Sequence, residues 1–197
     1  MSEQRLRLAV LVSGSGTTLQ NLIDQIARGE LCAKIVKVIG SRDALGSEPR
    51  TTAAGIDYEV IRRRDFASID HFSDRIFAAC DAAHVDLVVC AGWLALLVIP
   101  PRYDGRIINV HPSLLPKFGG KGMFGHHVHE AVLAAGERVT GCTVHFLDNE
   151  YDNGPIILQR TIDVSPTDDA STLAARVQAE ERIALPEAIR RIATRSK

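Results

Sequence analysis

Apolar residues in this chain come in short blocks separated by helical stretches, and the alternation predicts a layered α/β fold. Leu6 to Val12 is almost continuously apolar and stops at Ser13-Gly14. A run apolar on both faces suits a central strand of a parallel sheet. Thr17 to Ala27 follows with Leu19, Leu22, Ile23 and Ile26 at helical spacing. Ile35 to Ile39 and Tyr58 to Ile61 are two further β-rich runs. In Ser68 to Ala83 the positions Ile69, Phe72, Ile76, Cys80 and Ala83 form one apolar stripe, as in an amphipathic helix. Asp86 to Ala91 and Arg106 to His111 read as strands, and His127 to Ala135 as a helix closed by Gly136. Thr140 to Phe146 and Pro155 to Arg160 read as two late strands. Ser171 to Thr194 reads as a long closing helix that Pro186 bends.

Strand and helix in alternation predict an α/β, doubly wound, mostly parallel sheet with helices on both faces. No linker, repeat or charge block divides residues 1–197, so they read as a single domain. Ligands of such sheets bind beyond the carboxyl ends of the strands. The loops after Val12, Ala91, Val110 and Phe146 are therefore the places to look for chemistry.

Composition narrows the field. With 46% hydrophobic and 24% charged residues the chain is neither disordered nor fibrous. A net charge of -1 calls for no nucleic-acid or anionic-membrane partner. The cysteines Cys32, Cys80, Cys90 and Cys142 are scattered with no CxxC pair, which argues against a disulfide framework or thiolate zinc site and for a reducing cytosol. Met1 to Arg7 lacks the apolar core of a signal peptide. The longest apolar run, Leu87 to Pro101, is shorter than the ~20 residues of a spanning helix. A cytoplasmic protein is expected.

The first loop, Ser13-Gly14-Ser15-Gly16-Thr17-Thr18, puts two glycines and two hydroxyls where a helix begins. Free N–H groups and the positive end of the helix dipole favour an anion there. A phosphate cradle and a plain turn capped by Thr17 or Thr18 are both open on this loop alone. It is neither a Walker loop nor a full GxGxxG, since Leu19 stands where the third glycine belongs. In Asn109-Val110-His111-Pro112-Ser113-Leu114-Leu115-Pro116, alternation puts Asn109 and His111 on one face at the end of an apolar strand. An amide donor beside an imidazole can stabilise an oxyanion and move a proton. The acidic loop His145 to Pro155 contains Asp152, which could charge a histidine, although on the loop alone a solvated turn is the better reading. His126, His127, His129 and Glu130 have no HExxH spacing, and no metal is expected. Arg62-Arg63-Arg64 reads as a solvated edge.

At these residues the chain resembles the phosphoribosylglycinamide formyltransferase (glycinamide ribonucleotide transformylase) family of folate-dependent formyltransferases, whose fold is Rossmann-like. The first loop, Ala91-Gly92-Trp93-Leu94, Asn109 to Pro116, His145 to Gln159 and Arg176-Val177-Gln178 match in order and spacing, over nearly the whole chain. The resemblance implies formyl transfer from 10-formyltetrahydrofolate, as co-substrate, to the amine of 5′-phosphoribosylglycinamide in de novo purine synthesis. It implies a catalytic trio of Asn109, His111 and Asp152, and a ribonucleotide site at Gly16, Thr17, Thr18, Gln178 and Glu181. It implies a folate site at Leu94, Ala95, Leu96 and Leu97 and at Asp148, Asn149, Glu150, Tyr151 and Asp152. The phosphate loop thus lies in the N-terminal half. Asn109 would donate to the oxyanion, His111 would act as an imidazolium, and Asp152 would raise the His111 pKa. Partners are small molecules only, and the chain is expected to be a monomer or weak homodimer. Thr18, Ala95, Ile69 and Asn153 depart from common family residues, and Gly119 to His129 follows a longer loop variant; none of these touches the trio. Two other readings stand beside this one: a 10-formyltetrahydrofolate deformylase using water, and a nicotinamide-dependent Rossmann oxidoreductase. Against the second, Ser41-Arg42 stands where an acidic residue would bind the ribose.

Overall fold

The computed structural model of the chain describes residues 5–195; Met1 to Gln4 of the polar N-terminal segment, with Ser196 and Lys197, lie outside them. Among the described residues seven strands and five α-helices make an α/β fold with a mostly parallel sheet. Internal packing divides the chain into two compact units, Met1–Ile108 and Asn109–Lys197.

The first unit grows from β1 (Leu6–Val12). From Leu8 to Val12 this strand is wholly buried, as a run apolar on both faces requires. It pairs in parallel with β2 (Ala33–Gly40) on one side and β4 (Leu87–Ala91) on the other, and β3 (Tyr58–Val60) joins β2. The order β3-β2-β1-β4 means that the chain builds outward from β1, then returns across it. That reversal is the topological switch point where such sheets bind ligands. Val12 pairs with both Gly40 and Ala91, so the loops after β1, β2 and β4 leave the sheet at one end.

Helix α1 (Thr17–Ala27) buries Leu19 and Leu22, and α3 (Ile69–Ala82) buries Phe72, Ile76 and Cys80 of the stripe read in the sequence, with Phe77 beside them. Ser68 ends up as the cap of α3, its Oγ accepting from the His71 N–H at 3.2 Å. Phe72 stacks on Trp93 with centroids 6.1 Å apart. A short helix, α2 (Ser47–Ala53), was not legible in advance. Its sequence has no apolar stripe, and it turns Ser47 and Thr51 inward, the Thr51 hydroxyl donating to the Ser47 carbonyl at 2.7 Å.

Strand β5 (Ile107–His111) runs across the boundary between the units, and its approach is fixed in the first unit by the Val88 N–H donating to the Arg106 carbonyl at 2.9 Å. The second unit contains α4 (His126–Ala134), β6 (Val139–Phe146), β7 (Ile156–Asp163) and α5 (Ala170–Arg195), with strand order β5-β6-β7. β6 and β7 are antiparallel, from Val139 opposite Asp163, with an irregularity between Val144 and His145. α5 packs on both strands, burying Leu173, Val177, Leu185 and Ile189, and it runs through Pro186 without interruption. Gly154 closes the β6–β7 connection where a Cβ would lie 2.0 Å from the Phe146 carbonyl oxygen, so no other residue fits. Among the described residues no helix is long and apolar enough to cross a membrane.

Candidate active site

The end of β5 supplies the polar residues that the sequence marks, and the second unit brings them together. His111 is 3% exposed and Asn109 is half-buried. Asp152, in the loop after β6, faces His111 through Oδ2, 3.4 Å from Nδ1. Its other oxygen, Oδ1, lies 3.6 Å from Nε2 of His145 at the end of β6. Asn109 Nδ2 stands 3.5 Å from the same Nε2. Four side chains therefore form a chain, Asn109–His145–Asp152–His111.

Hydrogen bonds hold this chain in place. His145 Nδ1 is 2.9 Å from the Phe146 carbonyl, and its Nε2 lies beside both the Asn109 amide and Asp152 Oδ1. His111 Nε2 donates to the Phe118 carbonyl at 2.8 Å. Asp152 Oδ2 also accepts the Gly120 N–H at 2.9 Å. Burial raises the Asp152 pKa, but the hydrogen bond to His145, the His111 charge and the Gly120 N–H outweigh it and hold the carboxyl below its ordinary value. Asp152 itself sits at φ 52°, a left-handed conformation rare for a side-chain-bearing residue.

The expectation that Asp152 raises the His111 pKa holds as one contribution, but the net direction is the reverse. Both ring nitrogens face acceptors, which favours double protonation. Burial is the larger effect, and together with His145 it pulls the His111 pKa below its ordinary value despite Asp152 and Phe118.

A buried network holds the loop that carries His111. Thr143 Oγ1 accepts from the Leu115 N–H at 3.0 Å and from Gln159 Nε2 at 2.9 Å, and donates to the Ser113 carbonyl at 2.7 Å. Gln159 Nε2 also donates to the Leu115 carbonyl at 3.0 Å, and Ser113 Oγ to the Lys117 carbonyl at 2.6 Å. Sequence reasoning missed His145 and this network. The signal was present as polar residues at alternate positions, Thr143 and His145, on the buried strand β6.

The other marked residues are placed as follows. In the first unit Gly16 is the N-cap of α1 at φ 76°, and no side chain caps the helix. The alternative in which Thr17 or Thr18 caps the turn is thereby corrected: both lie inside the helix, half-exposed, and the capping position is Gly16, which has no side chain to cap with. Leu94 to Leu97 follow β4 at the same end of the sheet, with Leu94 56% exposed, Ala95 and Leu96 half-buried and Leu97 buried. In the second unit Asp148 organises its own turn, accepting from the Glu150 N–H at 2.8 Å and from Asn153 Nδ2 at 3.1 Å, while Asn149, Glu150 and Tyr151 are exposed. On α5, Gln178 accepts from Arg182 at 3.1 Å. Burial pushes the neighbouring Glu181 carboxyl up to about 7, with Arg182 only partly opposing. The histidines of α4 diverge: His127 faces Glu130 at 3.3 Å, whereas His129 is buried. Among the described residues no three ligating side chains converge on a metal position. Arg62 is paired with Asp43 and Asp65, in keeping with a structural edge.

Residues 6–189 match the family model described as Formyl transferase. The chain is 40% identical over 194 residues to the trifunctional purine biosynthetic protein adenosine-3 of Drosophila melanogaster, covering 96% of this chain but only 14% of that protein. It is 36% identical over 178 residues to phosphoribosylglycinamide formyltransferase of Haemophilus influenzae, covering 89% of this chain and 81% of that one. The crystal structure of phosphoribosylglycinamide formyltransferase from Brucella melitensis superposes with a TM-score of 0.87 at 38% identity, covering 96% of each chain.

Proposed function

Because the chain belongs to the formyl transferase family, we propose that it transfers the formyl group of 10-formyltetrahydrofolate to the amine of 5′-phosphoribosylglycinamide, a step of purine synthesis. The relatives from Haemophilus and Brucella carry the name of that activity. The observation that carries the reading is the linked set of Asn109, His111, Asp152 and His145.

The reaction places three demands on a site: stabilising an oxyanion, taking a proton from the attacking amine, and returning one to the leaving folate nitrogen. Asn109, its amide 3.5 Å from His145 Nε2, keeps an N–H to donate to the oxygen of the tetrahedral intermediate. The His111–Asp152 pair takes the amine proton, and the charged imidazole faces the carboxylate at 3.4 Å, which stabilises it in the intermediate more than in the ground state. The same pair then returns the proton to the leaving nitrogen. No step needs a metal. The loop at Gly16, Thr17 and Thr18 receives the ribonucleotide phosphate at the start of α1, where Gly16 supplies no capping side chain, and Gln178 and Glu181 contact the same substrate. Leu94 to Leu97 and Asp148 to Asp152 receive the folate. The whole chain acts as one formyltransferase domain on small-molecule substrates in the cytoplasm, as a monomer or weak homodimer. Steady-state kinetics of Asn109→Ala and His111→Ala test this reading. Each loses at least ~100-fold in kcat if the roles are right, and near-normal turnover in His111→Ala refutes them.

A further inference from the structure

The loop between β1 and α1 contains more than glycine and hydroxyl groups. Two guanidinium groups from the next connection reach its carbonyls. Arg50, on α2, donates from Nε to the Ser15 carbonyl at 3.1 Å and from Nη1 to Gln20 Oε1 at 3.2 Å. Gln20 is held in turn by donating to Asp24 at 2.8 Å. Arg42, just after β2, donates from Nη2 to the Ser13 carbonyl at 3.5 Å. Neither arginine has a carboxylate partner among the described residues, unlike Arg62 with Asp43 and Asp65.

These bonds matter because of peptide geometry. In a trans peptide the carbonyl and the following N–H point in opposite directions. Holding the Ser15 carbonyl toward Arg50 therefore turns the Gly16 N–H away from it, and holding the Ser13 carbonyl turns the Gly14 N–H likewise. Packing behind the loop supports the same orientation. A Cβ on Gly16 would lie 2.7 Å from Ser47 Cβ, and one on Gly46 would lie 3.1 Å from Ser15 Cα. The loop thus rests on the start of α2, its carbonyls drawn to the cations behind and its N–H groups left facing outward. Ser13 Oγ is also buried there without a hydrogen-bond partner.

We propose that Arg50, assisted by Arg42, is a positioning residue for the ribonucleotide: by clamping the loop carbonyls it fixes the outward set of amides that receives the phosphate dianion. The inference rests on the reading of the Gly16–Thr18 loop as the phosphate seat. Arg50 acts through the Ser15–Gly16 peptide and need not touch substrate. Its positive charge, unneutralised by any carboxylate, also favours a dianion over a neutral group at the same place.

The test is steady-state kinetics of Arg50→Gln and Arg50→Lys against each substrate in turn, with inorganic phosphate as a competing ligand and a thermal melt of each variant. Arg50→Gln should raise KM for the ribonucleotide and the inhibition constant of phosphate together, by ~10-fold, since charge-assisted hydrogen bonds are lost. Its kcat and its KM for the formyl donor should stay within ~2-fold, because the trio is untouched. Arg50→Lys, which keeps the charge and one bond, should recover part of the loss. An unchanged ribonucleotide KM, or an equal rise for both substrates with a lowered melting temperature, overturns the proposal. If Arg50→Gln does not fold, Arg42→Gln at an exposed position must show a smaller selective rise of ~2–3-fold, and a flat result there overturns it. Thr17→Ala and Thr18→Ala separate the two layers. If they also leave the ribonucleotide KM unchanged, the phosphate seat itself is wrong. If they raise it while the arginine variants do not, only the clamp is wrong.

Discussion

Glu181 gives the structure a pH signature that can be worked out in advance. Its carboxyl lies on α5 over β6 and is pushed by burial from an ordinary value of 4.5 to about 7. In the unfolded chain it ionises near the ordinary value; in the folded chain it stays protonated until pH approaches 7. Its contribution to stability is therefore fully present below pH ~4.5 and is lost as pH rises through about 7. At roughly 1.4 kcal/mol per unit, the whole shift of about 2.5 units is worth at most roughly 3.5 kcal/mol. Glu181→Gln keeps the shape of the neutral acid and cannot ionise. Its stability should match the parent at pH 4.5, and exceed it by a growing margin toward pH 8.5. Urea denaturation of both proteins across that range reads the difference directly. Parallel curves, with no gain for the variant above pH 7, would refute the account of this carboxyl. In the same variant the ribonucleotide KM should rise above pH 7, where the parent presents a carboxylate and the variant an amide.

The His111 pKa lies below its ordinary value, so the acid limb of kcat/KM should fall below pH 6.5, provided His111 acts as the base. Asp152→Asn removes the charge that holds this pKa up; the limb should move to still lower pH while kcat drops, and an upward move would contradict the assignment. Thr143→Val leaves the Leu115 N–H and Gln159 amide without their buried acceptor, and should cost ~1–3 kcal/mol in denaturant unfolding as well as lower kcat through a loosened His111 loop. Gly154→Ala drives a Cβ into the Phe146 carbonyl oxygen, 2.0 Å away, and should fail to accumulate as folded protein.

The parts of the fold that follow from periodicity were legible in the sequence. β1 announced its burial by being apolar on both faces, and α3 by its stripe of Phe72, Ile76 and Cys80. α2 was not legible, because Ser47 and Thr51 are its inward residues and polar side chains give no stripe. Asn109 and His111 could be picked out by chemistry and spacing and Asp152 by the family resemblance, and the three do come together. What eluded the sequence is anything set by tertiary neighbours. His145 looked like one more residue of β6 until the fold put it between Asn109 and Asp152. The charge state of His111 depends on burial, which a carboxylate elsewhere in the sequence does not reveal. Similarly, the threonines at the start of α1 suggested a cap, while the structure leaves that role to Gly16 in a left-handed conformation.

The most direct test of the central claim is product formation. The purified chain is incubated with a 10-formylfolate donor, with and without 5′-phosphoribosylglycinamide, and the deformylated folate is followed by absorbance. The account predicts folate release that depends on the ribonucleotide and is matched by formylated product. Release at the same rate without the ribonucleotide would mean that water is the acceptor, and no release in either tube would contradict formyl transfer altogether.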